Sequence, residues 1–344
     1  MSQNTYCSPR LYIKDVDVLE DISGQVIFPG NNQINSMSIK LSGINLPESA
    51  LQDKEIRFYL NYGGEDTVPF FIGYIKEIKS GDTSTQITAY DSRCKLGGQY
   101  AEAITLTDFD NYDGHTLGQF LHKYIKDVVN KDNEYFDLSQ LNDTNPPVPF
   151  KEIRDTDSNP YSLVIEAMER AIDDSDIFDI LDYEINTTFT TTGTGLKFIK
   201  QKPIDKSSIT LSYGDGISSY TYKKRKIPNR GIFNNISVDY GNNNSPKVSK
   251  DVAAKMVKNL ENKDVVSRAF LSKEILKGLI KARNEKFEIN VVANKGHYLQ
   301  LGSIVNMNVD EEIKGNHRLV GKRVTFSKVG VNLSLNLNTH QYKY

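Results

Sequence analysis

The stretch from Ile56 to Gly98, IRFYLNYGGEDTVPFFIGYIKEIKSGDTSTQITAYDSRCKLGG, constrains this chain more than any other. It reads as a strand, a Gly63-Gly64 turn, a strand broken by Gly73, a polar turn at Gly81-Asp82, and a strand ending in Ala89-Tyr90-Asp91. Ile56, Phe58 and Leu60 alternate with Arg57, Tyr59 and Asn61. Side chains on a strand point to opposite faces in turn, so this period of two describes a sheet with one dry face. The same pattern returns near the C-terminus in LVGKRVTFSKVGVNLSLNLN, Leu319 to Asn338, where a strand is again broken by a glycine, Gly321. Matching FIGYIKEI to LVGKRVTF places Gly73 and Gly321 at equivalent positions of two related β units. Two such units with helical patterns between them suit a part of an assembly better than an enzyme.

The chain has 344 residues, which predicts two to four domains. Trp is absent and Tyr is abundant. The formal charge of −2 supplies no overall field that would recruit nucleic acid. The N-terminus lacks a basic-then-apolar leader, and no apolar run approaches the roughly 20 residues of a membrane span. The expectation is a soluble protein made in a cytoplasm. Cys7 and Cys94 are too few for a disulfide framework and are expected as free thiols.

Along the chain, Met37, Ile39 and Leu41 alternate with serines and Lys40, and residues 10–97 read as strands throughout. After Gly97-Gly98 the period changes. Thr116 can cap a helix carrying Leu117, Phe120, Leu121, Tyr124, Ile125 and Val128. A polar, proline-rich stretch precedes a second helix with Asn159 as cap, Pro160 at its first position, and an apolar face of Leu163, Val164, Ala167, Met168 and Ala171. A hairpin follows, with its turn near Gly193 and Gly195. Strands return at Ile209–Tyr213 and Ile236–Tyr240, a helical pattern covers about 250–283, and the chain ends in alternating strands. In the last of them Leu333, Leu335 and Leu337 alternate with Asn332, Ser334 and Asn336. The fold class read from this is mainly β with α+β insertions: two similar β-barrel domains joined by smaller helix-plus-hairpin domains. The boundaries are 1–98 for the first barrel, 99–150 for a helical segment and linker, 151–206 for a small α+β domain, and 207–344 for the second barrel with its helical insertion.

The sequence contains no phosphate loop, dinucleotide fingerprint, nucleophile elbow or zinc-protease helix. Of five histidines, only His115 and His122 fall near one another, and no cysteine joins them, so solvated helix-face positions are the default reading. Asp108 to Gly114 has the flavour of a calcium loop, but its carboxylates are out of step and no glutamate closes it, so capping and turn formation explain it better. No catalytic, cofactor or metal residues are assigned. The dense basic run Lys223-Lys224-Arg225-Lys226 follows the aromatic Tyr220-Thr221-Tyr222. Phosphate contacts beside stacking rings are one reading; a strand edge guarded by charge, or a contact with a neighbouring subunit, is the preferred one.

Four segments in order resemble the baseplate hub proteins of long-tailed bacteriophages and related contractile injection systems. They are FFIGYIKEI…TQITAYDSRCKL, the helix TLGQFLHKYIKDV, SNPYSLVIEAMERAIDD with its hairpin ending GLKFIKQK, and a helix feeding YLQLGSIVNMNV and HRLVGKRVTFSKVGVNLSLNLN. The resemblance implies a structural protein of the virion tail or baseplate: a homotrimer whose two barrels per chain make a pseudo-sixfold ring. It would sit between a hexameric tail tube or distal adaptor and a threefold central spike with its wedge proteins, and pass DNA without binding it. It implies no cofactor and no catalysis. A cell-wall or polysaccharide hydrolase with β binding domains is the alternative, as is another β-rich tail adaptor or receptor-binding protein. The chain ends straight after its last strand, so a lysin or spike is expected on a separate chain.

Overall fold

The computed structural model describes residues 9–18, 21–30, 33–43, 46–61, 68–96, 115–124, 126, 187–192, 195–200, 209–224, 230–233, 236–239, 287–328 and 330–339. The expected helices at 159–171 and 250–283, the Gly63-Gly64 turn and the segment 108–114 lie outside them. Strands dominate what is described. The first group is β1 (Arg10–Ile13), β2 (Val16–Val18), β3 (Ile22–Phe28), β4 (Ser36–Ser42), β5 (Glu55–Tyr59), β6 (Phe71–Ser80) and β7 (Ser84–Tyr90), with a short helix α1 (Glu48–Leu51) between β4 and β5. After a 3-10 turn at Ser92–Leu96 comes α2 (Leu117–Tyr124), then two hairpin-like pairs: β8 (Thr187–Thr192) with β9 (Gly195–Lys200), and β12 (Arg230–Phe233) with β13 (Ile236–Asp239). The last group is β10 (Ile209–Tyr213), β11 (Gly216–Lys224), β14 (Phe287–Ala293), β15 (Ile304–Asn308), β16 (Gly315–Ser327) and β17 (Gly330–Thr339).

The C-terminal group closes on itself. The order β15-β10-β11-β14-β17-β16 returns to β15 through the β15–β16 pairing, giving a six-stranded barrel. Closure removes the free edges that an open sheet would expose, except along Ser219–Lys224 of β11, beyond its two-residue pairing with β10. Its inward side chains are those expected from the alternation: Phe287, Ile289 and Val291 on β14, Val305 and Met307 on β15, and Leu333, Leu335 and Leu337 on β17 are all buried.

The N-terminal group runs β3-β4-β7-β6-β5-β1-β2. Lys14 and Asp15 both take left-handed backbone, φ 47° and 65°, and make the tight turn that pairs β1 with β2. β2 ends this run, and the next strand of the chain, β3, stands at its other end. Met37, Ile39 and Leu41 of β4 and Ile56 and Phe58 of β5 are buried.

The two units repeat each other strand for strand. In the first, the antiparallel run is β3-β4-β7-β6-β5; in the second it is β11-β14-β17-β16-β15. Each has a bulge in the same place, two residues beyond the last residue paired to the preceding strand. β6 is paired to β5 up to Tyr74 and bulges between Ile75 and Glu77; β16 is paired to β15 up to Arg318 and bulges between Leu319 and Gly321. Aligned on these bulges, Met37–Ala89–Ile75 superimposes in register on Ile289–Leu337–Leu319, and Ile39–Ile87 on Val291–Leu335. All ten side chains are buried.

This alignment corrects the glycine match. Gly73 falls opposite His317, and Gly321 lies four residues further along its strand than the position equivalent to Gly73. The two glycines also meet different obstacles. A Cβ on Gly73 would lie 2.6 Å from the Tyr90 carbonyl oxygen, whereas one on Gly321 would lie 3.1 Å from the Asn336 side chain. The strands are equivalent, and the glycines answer separate local needs.

One difference between the repeats is the sixth strand. β1 is antiparallel to β5, while β10 is parallel to β15. β10 continues into β11 in the same direction through a sideways step, in which Ser212 and Asp215 exchange backbone hydrogen bonds of 3.0 Å.

Candidate functional site

The feature that joins the two units is β16, which changes partner along its length. Its first part, Gly315 to Arg318, pairs with β15 inside the C-terminal barrel. Its second part, Lys322 to Phe326, pairs with β3 of the N-terminal unit in the order Lys322↔Phe28, Val324↔Val26, Phe326↔Gly24. The exchange happens at the bulge. Gly30, at φ 72°, passes there so closely that a Cβ would sit 1.6 Å from the Val320 carbonyl oxygen. Only glycine combines that backbone with that approach.

Beside the exchange point Lys322 is buried, with 7% of its surface exposed. Its Nζ donates to the carbonyl oxygens of His297 (2.9 Å) and Leu299 (2.8 Å), both in the second unit. It also lies 4.6 Å and 4.7 Å from the ring centroids of Phe28 and Phe70, both in the first. Burial pushes the ammonium down to about 7; the two carbonyls and two ring faces are what stabilise its charged form. Phe58 and Phe326 meet across the same seam, ring centroids 4.3 Å apart. The buried apolar residues of both units form one continuous cluster.

The basic run lies at the other end of the second unit. Lys223 and Lys224 end β11 and are exposed; Arg225 and Lys226 lie outside the described residues. Lys224 is ion-paired to Glu312, and Tyr222 donates its hydroxyl hydrogen to the same carboxylate at 2.9 Å. That hydrogen bond raises the Tyr222 pKa. The cluster is therefore partly neutralised by its own barrel. What the sequence did not reveal is the edge on which it sits. Tyr220 and Tyr222 stand directly across from Val291 and Ile289, on the face that is buried elsewhere, yet Tyr222 is 36% exposed. Its counterpart in the first unit, Val26, is fully buried. The difference is that β16 covers β3, and among the described residues nothing pairs with the corresponding edge of β11.

The remaining sequence candidates separate. The α2 cap is as expected: the Thr116 N–H donates to Gln119 Oε1 (3.1 Å), and the Gln119 N–H donates back to Thr116 Oγ1 (3.3 Å), a reciprocal capping box. His115 and His122 do come together with Gln119 and Lys123 around an open cavity. No group of three or more His, Cys, Asp or Glu that could hold a metal occurs among the described residues. Cys94 is free and half-buried, and its burial pushes the thiol up to about 11; Cys7 lies outside the described residues. At the Ala-Tyr-Asp end of β7 the structure builds a buried ion pair. Asp91 accepts from Arg93 Nη2 (2.7 Å) and from the Asn35 N–H (2.8 Å), and Arg93 donates to the Gln33 carbonyl (2.9 Å). This pins the exit of the first unit to the entry of β4. No helix among the described residues is long and apolar enough to cross a membrane.

No sequence-family model and no curated protein matches the chain. Solved structures do. A tail protein from Neisseria meningitidis aligns over 96% of both chains with a TM-score of 0.63 at 14% identity. A 43 kDa prophage tail protein from Shewanella oneidensis aligns over 96% of both with a TM-score of 0.61 at 10% identity. An Escherichia coli type VI secretion system component, reported to resemble the T4 bacteriophage tail proteins gp27 and gp5, aligns over 97% of this chain and 78% of its own length, with a TM-score of 0.58 at 11% identity. The mainly β architecture of this chain, with its two related β units, is thus the fold of these tail and type VI secretion proteins, as the sequence resemblance implied.

Proposed function

We propose that the protein is the structural hub of a bacteriophage tail or baseplate. In this reading three copies form a ring, each contributing two barrels, so that one face has sixfold-like symmetry and the other threefold. The observation that supports it most is the repeat within one chain: equivalent strands, equivalent bulges and equivalent buried ladders, joined edge to edge through β16 and β3. Duplication of a barrel lets a trimer present six quasi-equivalent surfaces to a hexameric tube while keeping threefold contacts for a spike. The ring carries no catalytic residues and no cofactor. Its channel passes DNA without holding it, in keeping with the −2 charge. The basic run then faces a neighbouring subunit or outer solvent. The working location is the virion, after synthesis in the host cytoplasm.

Native mass spectrometry and negative-stain imaging of the purified protein test this. The expected result is a trimer with six lobes around a central hole. A monomer, or a twofold dimer without a channel, overturns it.

A further inference from the structure

The repeat identifies two strand edges that, among the described residues, lack the strand partner their counterparts have. Beyond its bulge, β16 is covered by β3, and Gly321, Lys322 and Val324 are buried. The equivalent residues of β6, Glu77, Ile78 and Ser80, are exposed or half-buried, although Ile72–Ile75 before one bulge match Asn316–Leu319 before the other in burial, position by position. On the opposite side, β3 is covered by β16, whereas residues 219–224 of β11 pair as a strand only with β14 among the described residues, the side chains of Tyr222 and Lys224 reaching Glu312 besides. Among the described residues there is thus one β16–β3 junction from second unit to first, and the two edges that would make the same junction from first unit to second have no strand partner; at this edge of β6, Ser80 Oγ donates to the Leu46 carbonyl (2.8 Å).

We infer that β6 of one copy pairs antiparallel with β11 of the next, repeating between chains the junction that β16 and β3 make within one. The inference rests on the ring reading above and names its contact surface. The partner is a second copy of this chain. The contact is head-to-tail, because the two edges differ, and such contacts generate rings when the rotation closes. Within the chain the register is Lys322↔Phe28 and Val324↔Val26. Carried through the repeat, it sets Ile78 opposite Lys224, Lys79 opposite Lys223, and Ser80 opposite Tyr222. Tyr222 would then gain the cover that Val26 has. On the outer face Lys223 would meet Lys79 directly and Glu77 diagonally. The direct like-charge pair weakens the junction, and salt screens it. Association should therefore tighten as ionic strength rises.

Cysteine cross-linking of the full chain reads the pairing. Directly opposed residues of an antiparallel pair are about 4.5–5.5 Å apart at Cα, within reach of a disulfide. The double variant Lys79→Cys with Lys223→Cys should give disulfide-linked dimers and trimers under mild oxidation. Each single variant, which carries the native Cys7 and Cys94, should not. Lys40→Cys with Lys223→Cys is the control for random collision, because Lys40 lies exposed on β4, away from both edges. A trimer by mass that does not cross-link, or that cross-links no better than the control, overturns the β6–β11 pairing and leaves the ring reading standing. A protein that is monomeric overturns both.

Discussion

Single residues carry the seam between the two units. Lys322 is the clearest case, since a buried ammonium is costly unless its surroundings replace water. Here two carbonyls of one unit and two aromatic faces of the other do so. The folded group titrates at about 7, while an unfolded lysine titrates near ~10.4. Between those values the unfolded chain binds more protons, so stability should rise with pH. The contribution is complete above the unfolded value and lost as pH falls through the folded one. Lys322→Met should lack this slope. Urea denaturation of both proteins across that interval should show the native protein gaining on the variant by up to about 1.4 kcal/mol per pH unit. Parallel pH profiles would show that the ammonium is not buried as described.

Among the elements, β17 and β16 hold the most information. The alternation of Leu333, Leu335 and Leu337 with polar residues predicts one dry face, and in the barrel these leucines are buried while Asn336 is exposed. Leu335→Asp puts a carboxylate into the apolar ladder with Val291, and should cost several kcal/mol, on the order of burying an unpaired polar group. Asn336→Asp, one residue away, should change stability by less than about 0.5 kcal/mol. Thermal or urea unfolding of the pair checks the register, and equal losses would contradict it. The bulge in β16 could not be read in this way. An inserted residue leaves no mark in a period-two pattern other than a local slip, and Gly321, the visible break in the pattern, is not the counterpart of Gly73. The ladder registers around each bulge fix the equivalence instead.

For the molecule as a whole, the decisive contact is the passage of β16 from one barrel to the sheet of the other. Gly30 allows it. Gly30→Ala should be among the most damaging single substitutions, more than about 3 kcal/mol, because the new Cβ would collide with the Val320 carbonyl at the exchange point. Gly43→Ala is the matched control. It has a similar φ of 82° with nothing within 4 Å of the added Cβ, so only backbone strain of roughly 1–2 kcal/mol applies. Circular dichroism melts of both variants separate strain from collision; equal losses would mean that the close approach at Val320 does not hold the units together.

The sequence by itself determined the class of the fold, the strands and which faces of them are dry. These are local properties: alternation, turn residues and a capping box act over a few positions, and Met37, Ile289 and Leu335 reveal their burial through their neighbours alone. It also showed that two stretches are alike. Which strand lies beside which, and where a strand changes partner, was settled only by the tertiary structure. Edge pairing depends on residues hundreds of positions apart, such as Val324 with Val26, and backbone hydrogen bonds carry no side-chain signature. The buried Lys322 was illegible for the same reason: a lysine in a strand reads as solvated until the two rings and two carbonyls around it, drawn from both units, are brought together by the fold.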